Sequence, residues 1–202
     1  MGRPTVIVFL RAPRLGAVKQ RLAQSIGDAA ALEFYVATTR NILRRIGGHS
    51  DWDTHLAVTP DDAAKDGDYW PSKFKRFPQG LGNLGERMVR AIGRFPNRPV
   101  ALVGSDIPDL SECQIKHAFA ELLEASLTFG PARDGGYWLV GVRDSKLVSG
   151  LFKNVRWSSC HALADTLANV ADHRVTLLEE LEDVDDAKDY ARWQARSDNL
   201  KP

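Results

Sequence analysis

At 202 residues, with 44% hydrophobic and 26% charged side chains, the chain has the size and composition of one globular domain, expected to span residues 1–202. Its 27 basic and 26 acidic residues nearly cancel, which argues against a nucleic-acid or anionic-membrane partner and requires any anion site to be local. Cys113 and Cys160 stand outside any C-x-x-C spacing, which argues against a zinc cage or disulfide framework, and no apolar run is long enough for a signal core or membrane span, so the expected location is cytoplasmic.

Thr5–Leu10 is a continuous apolar run rich in β-branched residues and predicts a strand buried on both faces of a parallel sheet. The basic segment Arg11–Arg21 follows it. From Asp28 to Ile46 the residues Leu32, Tyr35, Val36, Thr39, Leu43 and Ile46 recur at three- and four-residue steps, which predicts a helix ended by Gly47-Gly48. Thr54–Thr59 reads as a second strand, a polar loop runs to about Ser72, and Lys73–Phe77 is expected as a short strand. Glu86–Phe95 reads as a helix, with Asn83 as its N-cap and Glu86 in capping-box position.

Pro99–Gly104 predicts another buried strand, ending at Ser105-Asp106, and Ser111 caps a helix to about Ala125. Leu127–Gly130 and Tyr137–Val142 read as strands around Asp134-Gly-Gly136. A helix near His161–Val170, a strand near Arg174–Leu178 and a last helix from about Asp186 complete the chain. Strands alternating with helices predict a three-layer α/β/α sandwich on a mainly parallel sheet.

Four stretches carry residues suited to chemistry. "LRAPRLGAVKQRL" leaves the first strand at its C-terminal end, where open α/β sheets receive ligands. Arg11, Arg14, Lys19 and Arg21 around Gly16 suit a polyphosphate: glycine lets backbone amides approach an oxyanion and the cations neutralise it. A solvated basic loop is the plainer reading. In "ALVGSDIPDL" the strand tip and Pro108 aim Asp106 at the same crevice, where one carboxylate plus substrate phosphates can hold Mg²⁺, while Asp109 reads as a turn residue. In "FGPARDGGYWLVG", Asp134-Gly-Gly is either a plain hairpin turn or a close backbone approach to a ligand. In "LEDVDDAKDY", Asp183, Asp185 and Asp186 read from position alone as helix-start caps.

A fifth stretch, Gly80-Leu-Gly-Asn-Leu-Gly85, matches the G-x-G-x-x-G pattern of dinucleotide binding. Its context rejects that reading, because Ser72–Gln79 before it is too charged and proline-interrupted to be the buried first strand of a Rossmann unit.

In their order, "APRLGAVKQRL", "QGLGNLGERM", "GSDIPDL", "GPARDGGYWLVG", "RWSS" and "LEDVDD" resemble the bacterial DUF2064 family, often described as glycosyltransferase-like, from about Val6 to Tyr190. The resemblance implies a GT-A fold, like nucleotide-diphospho-sugar transferases and the nucleotidyltransferases of molybdenum-cofactor guanylylation. It puts Gly16, Lys19 and Arg21 on a phosphate-binding loop and Asp106 on a metal-binding carboxylate. Asp134 and Asp185 become further metal or acceptor contacts, Gly135 and Gly136 fall on the acceptor side, and Gln79, Gly80 and Gly82 line the nucleotide side. The chain departs from the family pattern at Asn83, where Asp is common, at Arg11, where Lys is common, and at Gln20, where Thr is common.

The expected activity is transfer of a nucleoside monophosphate from an NTP to a small phosphorylated or acidic acceptor, with Mg²⁺ or Mn²⁺ and release of pyrophosphate. Lys19, Arg21 and Asp106 would carry the catalysis. Glycosyl transfer from a nucleotide sugar and a catalytically silent nucleotide-binding module are the alternatives. Ser105-Asp106-Ile107 replaces the Asp-x-Asp signature that glycosyl transfer favours, and Asn83 motivates the silent module.

Overall fold

The computed structural model describes residues 2–65 and 69–199. Among these residues seven strands form one sheet: β1 (Thr5–Arg11), β2 (Asp53–Thr59), β3 (Lys75–Pro78), β4 (Val100–Val103), β5 (Leu127–Pro131), β6 (Tyr137–Val142) and β7 (Val175–Leu177). Their order across the sheet is β3-β2-β1-β4-β6-β5-β7. β1 pairs in parallel with β2 and β4, β2 with β3, and β5 with β7, while β6 runs antiparallel to both β4 and β5. The predicted sandwich with a mainly parallel mixed sheet is therefore the observed fold.

Burial of Val6, Ile7 and Val8 on alternating faces of β1 explains why its sequence is uninterruptedly apolar: both faces are covered. On one face Val6, Val8 and Leu10 meet Ile42, Leu43 and Ile46 of helix α2 (Asp28–Ile46) and Ile115 and Ala118 of α4 (Glu112–Glu121). On the other, Ile7 packs with Met88, Ala91 and Ile92 of α3 (Leu84–Gly93) and with residues of α5 (Ala162–Ala168). Each fully buried aliphatic side chain here contributes about 1.5–3 kcal/mol. A third cluster joins Leu22 of α1 (Gln20–Ile26) and Ala31 and Phe34 of α2 to Val184, with Tyr190 and Trp193 of α6 (Ala187–Asn199) against it.

Differences from the sequence expectation lie in short elements. α1 has seven residues, too few to display a helical period. α3 begins at Leu84, directly after its Asn83 cap, and α4 ends at Glu121, four residues early. Two short 3₁₀ turns, Asp61–Ala64 and Ser145–Val148, carry no sequence signal that separates them from loop. No helix among the described residues is long and apolar enough to cross a membrane.

Candidate functional site

The chain leaves β1 toward β2 on one side and reaches β5 from β4 on the other, so the two connections part and open a crevice at the C-terminal ends of β1 and β4. Tyr35 of α2 fixes the end of β1: its hydroxyl donates to the Arg11 carbonyl at 2.8 Å and accepts from the Arg11 N–H at 2.9 Å. Burial pushes the Tyr35 phenol up to about 12, so it stays neutral. Arg45 donates to the carbonyls of Pro108 and Leu110 and secures the loop after β4.

Lys19 stands at the N-terminus of α1 in the left-handed conformation, φ 48° and ψ 42°. A lysine there is strained by about 1–3 kcal/mol. That backbone sends its side chain, only 5% exposed, into the crevice, where the ammonium lies 2.5 Å from Asp106 Oδ1 and 3.0 Å from Asp185 Oδ1. Burial alone would lower the Lys19 pKa, but the two carboxylates outweigh it and hold the pKa above the usual lysine value. The carboxylates are brought together by the backbone, since the Val184 N–H donates to the Asp106 carbonyl at 3.2 Å. Asp186 is free of this group: its Oδ1 accepts from the N–H groups of Lys188 and Asp189 and caps α6, which leaves Asp185 to face the crevice.

The crevice opens into a cleft of about 570 Å³ whose lining includes Arg21, Asp106, Asp134, Gly136, Asp183 and Asp185. Arg21, mostly exposed, lies 3.6 Å from Asp185 Oδ2. Asp134 lines the cleft and accepts from the Gly136 N–H at 2.8 Å. Its loop reaches the Asp183–Asp186 segment through a parallel bridge between Ala132 and Leu181.

Other residues singled out in the sequence are placed elsewhere. Arg14 pairs with Asp62 at 2.6 Å and meets the Tyr69 hydroxyl. Gly16 turns the loop at φ 70°, and its carbonyl accepts from Gln20. Gln79 is buried; its amide donates to the carbonyls of Leu10 and Ala57 and its Oε1 accepts from Arg87, so its side chain joins β1, β2 and α3. Gly80 and Gly82 have positive φ, which disfavours any side chain there, and adjoin the Arg90 and Glu86 side chains. The close backbone approach at Gly135 is to the Cys160 carbonyl of the chain itself. Asp109 faces Arg196 at 3.6 Å.

Two parts of the cleft have no cleft role in the sequence reading, where Asp183 reads as a cap and Trp157–Ser159 enters only within the "RWSS" motif of the family resemblance. Asp183 lies within the cleft, and burial, then Asp185 and Asp134, push its carboxyl up to about 6. The segment Trp157–Ser159 forms a wall, with Ser158 at φ 57°. Arg156 secures that wall through three hydrogen bonds to Asp165, two from the guanidinium at 2.9 and 2.7 Å and one from its backbone N–H at 3.0 Å, and holds the Asp165 carboxyl well below the usual carboxylate range. Of the four non-glycine residues with positive φ among the described residues, two are asparagines, which tolerate it; the others, Lys19 and Ser158, both belong to the crevice and its cleft. Backbone strain concentrated in one cleft is a mark of functional sites.

Among the described residues no three His, Cys, Asp or Glu side chains form a ready-made metal cage. Asp106 Oδ1 and Asp185 Oδ1 nevertheless converge on one cationic atom. That donor set fits a magnesium-like ion, which takes one or two carboxylates and completes its shell with phosphate oxygens and water.

The profile described as "Uncharacterized protein conserved in bacteria (DUF2064)" matches residues 42–159. The chain belongs to the DUF2064 family. Within it, the matched span covers the second strand through the Trp157–Ser159 wall, including Asp106, Asp134 and Gly136. A search of curated proteins finds no match. Among solved structures, this DUF2064 chain is similar to a candidate nucleotide-diphospho-sugar transferase from Desulfovibrio desulfuricans, with TM-score 0.91 and 26% identity, covering 100% of this chain and 90% of that one. It shares its fold with CMP:2-keto-3-deoxy-manno-octonic acid synthetase complexed with CTP, with TM-score 0.61, 9% identity and coverage of 99% and 100%. It also shares it with Rv0371c from Mycobacterium tuberculosis in complex with manganese, with TM-score 0.58, 15% identity and coverage of 95% and 97%.

Proposed function

We propose that this DUF2064 protein is a nucleotide-using transferase that moves a nucleoside monophosphate from an NTP to a small-molecule acceptor and releases pyrophosphate. The observation that carries the reading is the Lys19 ammonium between Asp106 and Asp185 at the switch point of the sheet. A triphosphate needs this combination: cations for its oxygens and carboxylates for the metal that accompanies it. The likeness to a CTP-bound synthetase and to a manganese-bound protein supports it.

Asp106 and Asp185 would hold Mg²⁺ or Mn²⁺, with Asp134 and Asp183 close by. When bound, the ion supplies charge neutralisation on the phosphate oxygens. The chain's own residues do the rest by position. Gly16 turns the loop, so that its amides can face the phosphates. Lys19 and Arg21 stabilise charge on the α-phosphate and on departing pyrophosphate. Arg11 ends β1 and Arg14 lies on the loop that follows; both serve the distal phosphates, for which Arg14 must exchange Asp62 for the ligand. Gln79, Gly80 and Gly82 act on the nucleotide side by fixing the ends of β1 and β2. No nucleophilic side chain is required, because the acceptor supplies the attacking atom.

Thermal-shift measurements with each NTP and with nucleotide sugars, with and without Mn²⁺, test binding; pyrophosphate release with a panel of acceptors tests the chemistry. The expected result is a metal-dependent shift with one NTP and pyrophosphate release, both abolished in Asp106→Asn. Turnover of a nucleotide sugar without pyrophosphate would replace this reading with glycosyl transfer, and binding without any turnover would replace it with a silent module.

A further inference from the structure

Two chemistries line the cleft. One is acidic and includes Asp106 and Asp185, which hold Lys19. The other is an apolar wall of Phe9 of β1, Leu84 and Met88 of α3, Tyr137 of β6 and Trp157. This wall is rigid. Trp157 stands 6.4 Å from the Tyr137 ring at 67° and 6.0 Å from Phe152, and Tyr137 packs edge-on against Phe129 at 5.4 Å. Met88 is buried, and the other four wall residues are half-buried, so their apolar faces are open to the cavity.

The charged side chains that line the cleft are Asp106, Asp134, Asp183, Asp185 and Arg21. Arg21 already faces Asp185, and among the described residues no lysine or second arginine lines the cleft. With Asp106 and Asp185 engaged at the Lys19 centre, Asp134 and Asp183 remain as the charges nearest an incoming acceptor. A phosphate or carboxylate on the acceptor would meet like charge from Asp134 and Asp183, with Arg21, already opposite Asp185, as the cation of the lining.

We propose that the acceptor is a small molecule with an apolar or aromatic body and no anionic group. Phe9, Met88, Tyr137 and Trp157 hold the body, while Asp134 and Asp183 select against negative charge and favour a neutral or cationic compound. This rests on the reading of the cleft as a transfer site, and it replaces the phosphorylated or acidic acceptor expected from sequence.

The test uses the full chain without nucleotide, so that its outcome is independent of nucleotide transfer. Phenylnaphthylamine, a neutral dye that brightens in apolar pockets, is titrated and then displaced by tryptamine or indole acetate, two compounds with one indole body and opposite charge. Tryptamine should displace the dye at concentrations lower by on the order of tenfold. Trp157→Ala should weaken dye binding several-fold, and Asp134→Lys, at an exposed position, should narrow or reverse the preference for tryptamine. Equal or better displacement by indole acetate, dye binding indifferent to Trp157→Ala, or a preference unchanged in Asp134→Lys would each overturn the proposal. Charge discrimination in a chain that binds no nucleotide would leave the pocket standing and remove the transfer reading instead.

Discussion

Lys19 and Asp106 meet across the crevice between β1 and β4, the lysine nitrogen 2.5 Å from Oδ1, so a cation on one connection neutralises a carboxylate on the other. Removing it leaves Asp106 and Asp185 facing each other. Breaking a fully buried pair costs about 3–5 kcal/mol. Here Asp106 is 45% and Asp185 36% exposed, and solvent screening reduces the effect to about 1–2 kcal/mol. Denaturant unfolding of Lys19→Met should show that loss, and Mn²⁺ should restore most of it by occupying the gap between the carboxylates.

Asp183 gives the cleft a pH dependence. Its folded pKa of about 6 lies above that of a free carboxyl, because burial and then Asp185 and Asp134 disfavour the charged form. The folded chain therefore binds more protons than the unfolded chain between about pH 4 and 6, and stability from this group falls as pH rises through that window. Asp183→Asn should abolish the slope and gain about 1–2 kcal/mol above pH 6 relative to the parent. Melting curves at acid and neutral pH check the sign.

Asn83 and Glu86 form a reciprocal capping box, Asn83 Oδ1 accepting from the Glu86 N–H at 3.0 Å and Glu86 Oε2 from the Asn83 N–H at 2.9 Å. Asn83→Ala should cost about 1 kcal/mol of stability, whereas Asn83→Asp, which retains the cap, should cost little. Chemical denaturation of both variants separates the cap from any role in ligand binding, which thermal shift with NTP reads independently.

Gly135 is held at φ 85°, and a Cβ there would stand 2.3 Å from the Cys160 carbonyl oxygen. Gly135→Ala should destabilise by more than about 1 kcal/mol and displace the Trp157–Ser159 wall. A change in tryptophan fluorescence together with weaker dye binding would register that displacement.

Much of the frame was legible because its signals are local. β6 and α2 match the sequence reading residue for residue, and the Asn83 cap and its Glu86 partner form as their spacing predicts. The site was legible as stretches rather than as contacts. Position alone made Asp185 a capping residue, yet Asp186 takes that task, a choice between neighbours decided by where α6 docks. Gln79 reads as a polar cleft residue until three separate elements claim its amide. Asp183 and Trp157 enter the cleft only through long-range pairing, by the Ala132–Leu181 bridge and the Arg156–Asp165 clamp, for which no spacing along the chain gives notice.

The reversed direction of β6 has a consequence for how new specificity can arise. Because that strand runs against its neighbours, the residues that enter it, Asp134 to Gly136, arrive where β1 and β4 end. One bank of the cleft is thus made of segments leaving the sheet, the other of a segment joining it and the Trp157–Ser159 stretch beyond. Exchanging the second bank between relatives, without touching Lys19 or Asp106, should change the preferred acceptor while the donor stays the same.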